Sequence, residues 1–419
     1  MTRAKTQIFK KDISIKIILI CWLVYTISYF GKVNYSANIS RIMDFYGVSK
    51  AQAGLAPTFF FFAYGIGQVV NGLLCKKYNI KKIIFASLGI SGFINLIIAF
   101  GVDFSIIKWL WMVNGFVLSI LWPTLVRFLT EVLPKKDMGK SSVVMGTTVA
   151  CGTLFIYGAS SLFAFIGDFR LAFYLAAVSE FIIGFIWLFS YSKMAEKVKN
   201  KDEETCEHKE DVASEKPLEK AQGKNKNFYI TVYVLCFCAV GVNLIKDGLT
   251  TWVPTILKEE FSITDSLSIL LSVFLPIVAV FGNMYALKMH NKIPDYVTQC
   301  AVVFGMIFAF VGFIIGSLAF KQIIFTLAGL IIVNFLASSL NSLITSIFPM
   351  LVNEKINSGL YAGVLNGFCY LGSTISSYGL GSIADGFGWN AVFFILMGFC
   401  LAVCLVWCGY ACLKKNHIK

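Results

Sequence analysis

Twelve apolar stretches, each about long enough to cross some 30 Å of hydrocarbon as a helix, recur along this chain. They lie near residues 14–40, 53–75, 83–101, 106–130, 141–165, 171–191, 228–256, 264–286, 295–317, 322–349, 360–384 and 390–412. A backbone in lipid must satisfy its own hydrogen bonds, which leaves helices or a closed barrel. Runs of this length are helical, so the expected fold is an all-α membrane protein with twelve transmembrane helices in a lipid bilayer. Only 14% of residues are charged, against about a quarter in soluble domains.

Charge sets the expected orientation. The N-terminal "MTRAKTQIFKKDISIK", "KKYNIKK" (76–82), "PKKDMGK" (134–140) and the final "KKNHIK" are basic; the alternating connections "VDFS" (102–105), "GDFR" (167–170) and "DGFGWN" (385–390) are not. Basic connections stay in the cytoplasm, so both termini are expected there, in a multi-pass protein of the plasma membrane. The same placement accounts for the net charge of +13 without invoking nucleic acid. The first apolar run is too long for a signal peptide and lacks a small-residue cleavage site, so it is expected to remain as an anchor.

Residues 192–227 are polar and of mixed charge, and divide the chain into halves at 1–191 and 228–419 with six spans each. The segment reads as a solvated cytoplasmic linker, flexible or weakly helical. The halves resemble each other. Lys32 is followed after 17 residues by Ser49, and Lys246 after 16 by Ser262. Each serine can cap the next helix, with Gln52 or Asp265 three residues on. "YGASSLFAFIGDFRLAFYL" (157–175) also resembles "YGLGSIADGFGWNAVFFIL" (378–396). Such a parallel repeat of six helices is an arrangement found in transporters.

Lys32 and Lys246 sit midway along the first helix of each half. A cation at the bilayer centre costs at least a few kcal/mol. Two at matched positions are expected to face a central cavity and bind an anion. Asp247, next to Lys246, points about 100° away on the helix and is expected to reach Lys32 if it pairs at all. Tyr25 and Tyr29 precede Lys32 by seven and three residues on one face, where phenols can donate to an oxyanion. Arg127, near the end of span 4, reads as a gate, an interfacial residue or an anion ligand; Glu180, midway along span 6, as a protonation site or a neutral hydrogen-bonded acid. Ala63 and Gly67 have the spacing of closely packed membrane helices.

Catalytic motifs do not emerge. There is no Walker A sequence, no HExxH and no triad, and His208, His290 and His417 fall outside the twelve stretches, so no enzyme activity and no cofactor is expected. The 12 cysteines have no zinc-ligand or disulfide-framework spacing. Cys400, Cys404, Cys408 and Cys412 form an i,i+4 stripe without a histidine nearby, and read as small apolar residues rather than a metal site.

The chain resembles the major facilitator superfamily, and within it the organophosphate:phosphate antiporters. "YTISYFGKVNYSAN" (25–38) is similar to that group's first-helix motif, "IKDGLTTWVPTILKE" (245–259) to its seventh, and "NGFCYLGS" (366–373) to its eleventh. The resemblance implies that Lys32 and Lys246 stand where phosphate-binding arginines stand in the family. It also places Tyr25, Tyr29, Tyr64 and Tyr370 at cavity-lining positions. Gln68 replaces a cavity lysine, the helix-5 histidine has no counterpart in "MGTTVACGTL" (145–154), and lysines lack arginine's bidentate fork. The implied function is secondary transport of small organic anions, sugar or polyol phosphates exchanged for inorganic phosphate, by a monomer. Proton-coupled symport of a carboxylate or sugar acid, with Asp247 or Glu180 carrying the proton, and a non-transporting membrane ligand sensor are the alternatives. Two bare lysines in an empty cavity would make exchange obligatory.

Overall fold

The computed structural model describes residues 2–74, 77–202, 226–351 and 358–416. It is helical throughout, with α1 (Ser14–Ala37), α2 (Lys50–Leu74), α3 (Ile80–Ala99), α4 (Phe104–Val132), α5 (Asp137–Ile166) and α6 (Arg170–Tyr191) in the first half. The second half has α7 (Phe228–Phe261), α8 (Asp265–His290), α9 (Tyr296–Ala319), α10 (Ile323–Ile347) and one apolar stretch, Gly363–Tyr410, of 48 residues. That stretch would be about 70 Å long as a single helix, more than twice the hydrocarbon thickness. It is broken at Gly388 (φ 77°, ψ 174°), a conformation reserved for glycine, into α11 (363–387) and α12 (389–410). The chain therefore has twelve spans, six in each half.

Large apolar side chains such as Phe165, Leu73, Phe320 and Ile324 stand exposed on the outer surface. In water they would be a liability; a bilayer covers them. The helix of α6 runs on to Asp202 and helix resumes at Lys226, so most of the proposed linker, residues 203–225, lies outside the described residues.

Local sequence explains the helix starts. Ser49 and Gln52 form the expected capping box of α2: the Gln52 amide donates to Ser49 Oγ (3.2 Å) and the Ser49 amide to Gln52 Oε1 (3.0 Å). The second box does not form. Ser262 takes a left-handed backbone (φ 52°), and Thr264 caps α8 instead, accepting from the Leu267 amide. Asp265 is thereby released to face the other half. His290 falls on the last turn of α8 rather than beyond it, stacked on Tyr296 at 4.6 Å. Gly67 is pressed against Ser119 of α4, as small-residue spacing on α2 predicts.

The halves meet along α2 and α11 and along α5 and α8. A side chain at Gly54 would run into the Ser377 carbonyl, and one at Gly65 into Tyr370. Ser161 of α5 bonds Ser266 of α8 at 2.8 Å. The end of the molecule away from the termini is tied by ion pairs between halves. Lys258 bridges Asp44 (2.6 Å) and Asp265 (2.9 Å), Arg41 approaches Asp265 (3.7 Å), and Lys50 lies between Glu259 (3.2 Å) and Asp385 (3.7 Å). Asp385 also accepts from the Lys50 and Ala51 amides, anchoring the positive end of the α2 dipole to α11. This distal end is closed.

Candidate binding cavity

Between the halves lies a cavity of about 310 Å³, at the small end of ligand sites. Lys32 reaches it because α1 is interrupted. Helix ends at Ser28, Tyr29 closes a tighter turn onto Thr26, and a new helix starts at Phe30. The Glu180 carboxyl and the Asn95 amide fill the space a side chain at residue 31 would need, so only glycine lets α1 seat against α3 and α6 there. Lys32 then points inward. Its Nζ lies 4.1 Å from the ring centre of Tyr64, 4.9 Å from Tyr29 and 5.9 Å from Phe60. Ring faces stabilise a cation without neutralising it. Among the described residues no carboxylate pairs with it.

Lys246 also lines the cavity, but it is paired. Its Nζ is 2.9 Å from Asp247 Oδ1, which corrects the expectation that Asp247 would serve Lys32. Adjacent helical residues diverge at Cβ by about 100°, yet four methylenes let the lysine ammonium curl back around the helix. Asp247 is further held by the Ser373 hydroxyl of α11 and by Asn243 Nδ2 at 3.3 Å. Among the described residues, two cations and one carboxylate leave the cavity with one net positive charge, at Lys32.

Tyr29 and Tyr370 line the cavity with the lysines. Tyr25 and Tyr64 stand behind them as a second aromatic layer: Tyr25 against Tyr29 (5.5 Å) and Trp122 (4.8 Å), Tyr64 against Tyr370 (5.0 Å). Tyr25, Tyr64 and Gln68, expected on the wall, are not on it, and neither are Arg127 and Glu180. Gln68 turns to α4 and donates to the Ser119 carbonyl (3.3 Å). Arg127 pairs with Glu131 one turn on (2.6 Å) and bonds the Tyr78 carbonyl (3.1 Å), tying α4 to the α2–α3 connection. Glu180 is fully buried, accepting from Ser91 (2.8 Å) and Asn95 (3.5 Å) behind α1. The cysteine stripe follows one helix face outward: Cys400 is buried, Cys404 donates to the Ala301 carbonyl, and Cys408 is exposed.

Sequence reasoning missed Phe60 and the polar wall of the second half. Asn334, Ser338 and Asn341 of α10 line the cavity. Their i, i+4, i+7 spacing inside an apolar helix is a polar stripe that periodicity reveals.

Two six-helix halves closed at one end around a cation-bearing cavity define a multi-pass membrane carrier. Residues 21–377 match the Major Facilitator Superfamily, and the chain belongs to it. Similar curated proteins include the "Probable hexose phosphate transport protein" of Chlamydia trachomatis, 21% identical over 92% of this chain and 88% of that one. The "Membrane sensor protein UhpC" of Escherichia coli is 20% identical over 91% and 88%, and human "Sugar phosphate exchanger 3" 24% identical over 84% and 78%. Among solved structures, a bacterial homolog of the human lysosomal transporter Spinster, inward-facing and unoccupied, superposes with a TM-score of 0.75 at 14% identity, covering 95% of this chain and 96% of that one. The nucleoside transporter NupG gives 0.71 at 12%, covering 95% and 99%.

Proposed function

We propose that this protein is a secondary transporter of small organic anions, sugar or polyol phosphates exchanged for inorganic phosphate by alternating access. The observation that carries the reading is Lys32, a cation without a carboxylate partner among the described residues, facing a cavity that both halves line. An anion is the ligand that removes the desolvation cost of such a charge. Relatives named for hexose phosphate transport and sugar phosphate exchange support the phosphate ester as that anion. With both termini cytoplasmic in a plasma membrane, the closed distal end faces outward.

The Lys246–Asp247 pair favours a second reading, proton-coupled symport: a proton on Asp247 would release Lys246 for the anion. The test is uptake of a labelled hexose phosphate into proteoliposomes, either loaded with phosphate or empty, with and without a pH gradient. Exchange requires strong uptake with internal phosphate and little response to the gradient. Gradient-driven uptake into empty vesicles that disappears in Asp247→Asn would establish symport. Binding without uptake under every condition would leave the sensor alternative.

A further inference from the structure

Asp247 puts a negative charge on the wall of a cavity that takes an anion. A like charge beside a bound anion works against it, and more so away from water. Nor is the Lys246–Asp247 pair accounted for as a stabilising contact, since apolar side chains often replace a buried pair without loss. The pair is within a ligand's reach. The Lys246 and Asp247 side chains keep 25% and 16% of their surface exposed. Midway along α7, that surface faces the cavity the two residues line.

The two oxygens of Asp247 are used differently. Oδ2 accepts from two neutral donors, Ser373 Oγ and Asn243 Nδ2, the latter at 3.3 Å. Among the described residues Oδ1 has one partner, the Lys246 ammonium at 2.9 Å. A carboxylate oxygen can accept two bonds, so Oδ1 can take a second cation or exchange its first. The flexible stem of Lys246 lets its ammonium move to a new partner, while Ser373 and Asn243 hold Asp247 in place.

We propose that Asp247 is an ammonium-binding subsite, so that the carried phosphate ester also bears a primary amine. This rests on the organic-anion reading above and narrows it to zwitterionic esters. The charges in the cavity select such a ligand. Among the described residues, two lysines and one aspartate give the cavity a single positive charge. A plain phosphate ester brings about 1.5 to 2 negative charges at neutral pH and leaves an excess. A protonated amine on the same molecule removes most of that excess. The ligand ammonium takes Oδ1 of Asp247, and Lys246, released, joins Lys32 on the phosphate. Every charge then meets an opposite one, and no carboxylate is stranded beside the anion.

The experiment is calorimetric binding to the purified full chain at neutral pH. The probes are glucosamine phosphate, N-acetylglucosamine phosphate and glucose phosphate, all esterified at the same carbon. Glucosamine phosphate should bind at least about tenfold more tightly than the other two, the value of one charge-assisted hydrogen bond. Asp247→Asn should move the ligands in opposite directions. Glucosamine phosphate should weaken about tenfold, while glucose phosphate should tighten about three- to tenfold because the repelling carboxylate is gone. Opposite signs in one variant do not arise from a loss of folding. If Asp247→Asn fails to fold, Lys246→Ala combined with Asp247→Ala takes its place and should show no preference among the three. Equal affinities in the wild type, or a preference for the amine that persists without Asp247, would overturn the subsite and leave the anion reading standing. If none of the three binds the folded wild type, the anion reading falls and the subsite with it.

Discussion

A lysine inside a membrane-spanning helix costs at least a few kcal/mol, and two lysines here meet that cost differently. Lys32 faces aromatic rings and Lys246 a carboxylate, so the two are not equivalent ligands. Lys32→Ala should weaken phosphate-ester binding by about a hundredfold, the value of charge-assisted hydrogen bonds, while Lys32→Arg keeps it within about tenfold. Lys246→Ala should be more damaging than Lys246→Ala combined with Asp247→Ala. The single change strands a carboxylate that Ser373 and Asn243 hold beside the anion, and the double change removes it. Calorimetry on the four variants checks this; a double variant weaker than the single one would show that the pair does not set the field. The placing of both lysines in the cavity was legible in the sequence, because a cation in an apolar run has few cheap explanations. The partner of Asp247 was not: helical angles fix Cβ directions, not the reach of a lysine. Gln68 was misplaced for a related reason. Resemblance assigns a position on a helix, but a fraction of a turn of rotation decides whether a side chain meets the cavity or the neighbouring helix.

At the scale of helices, apolar runs announced every span, and the division between α11 and α12 came down to Gly388. Caps were legible only where the residues had no rival. Ser49 and Gln52 form their box, while Thr264 displaces Ser262 as the cap of α8 and leaves Asp265 to Lys258. The closed distal end depends on the contact between α2 and α11, which sequence alone does not show. Exposed ion pairs contribute up to about 1 kcal/mol each, so the backbone contact at Gly54 is the better lever. Gly54→Leu places a side chain against the Ser377 carbonyl and should disfavour the closed distal end. The expected result is a variant that inserts normally but transports at least about tenfold more slowly, with an engineered distal cysteine becoming more reactive toward a membrane-impermeant thiol reagent. Wild-type rates and unchanged reactivity would show that the contact gives way. The segment between α6 and α7 has the composition of a solvated linker. We propose that replacing most of residues 200–222 by Gly and Ser leaves binding within about twofold, as expected of a composition with no core-forming pattern. Weaker binding by a correctly inserted variant would give the segment a further role.

For the molecule as a whole, the question is whether the halves can rock while empty. Two bare lysines would make the empty occluded state very costly and exchange obligatory. The structure changes that count, since Asp247 neutralises Lys246 and leaves Lys32 as the one uncompensated cation of the cavity among the described residues. Burying one unpaired charge still opposes closure, but less than burying two that also repel each other. The loaded carrier should therefore move faster than the empty one without the empty one being blocked. At neutral pH, uptake of labelled hexose phosphate into phosphate-loaded proteoliposomes should exceed uptake into empty ones by about tenfold, equivalent to about 1.4 kcal/mol in the barrier. Asp247→Asn bares Lys246 and should widen that ratio to about a hundredfold or more, by slowing the empty return rather than speeding exchange. Symport predicts something different for the same variant. There, a protonated Asp247 is the driven species, so asparagine would abolish accumulation under an inward proton gradient while exchange persisted. Measuring both fluxes in both proteins separates the cases: a ratio that widens at every pH assigns Asp247 to charge balance, and a ratio that changes only under the gradient assigns it to the proton.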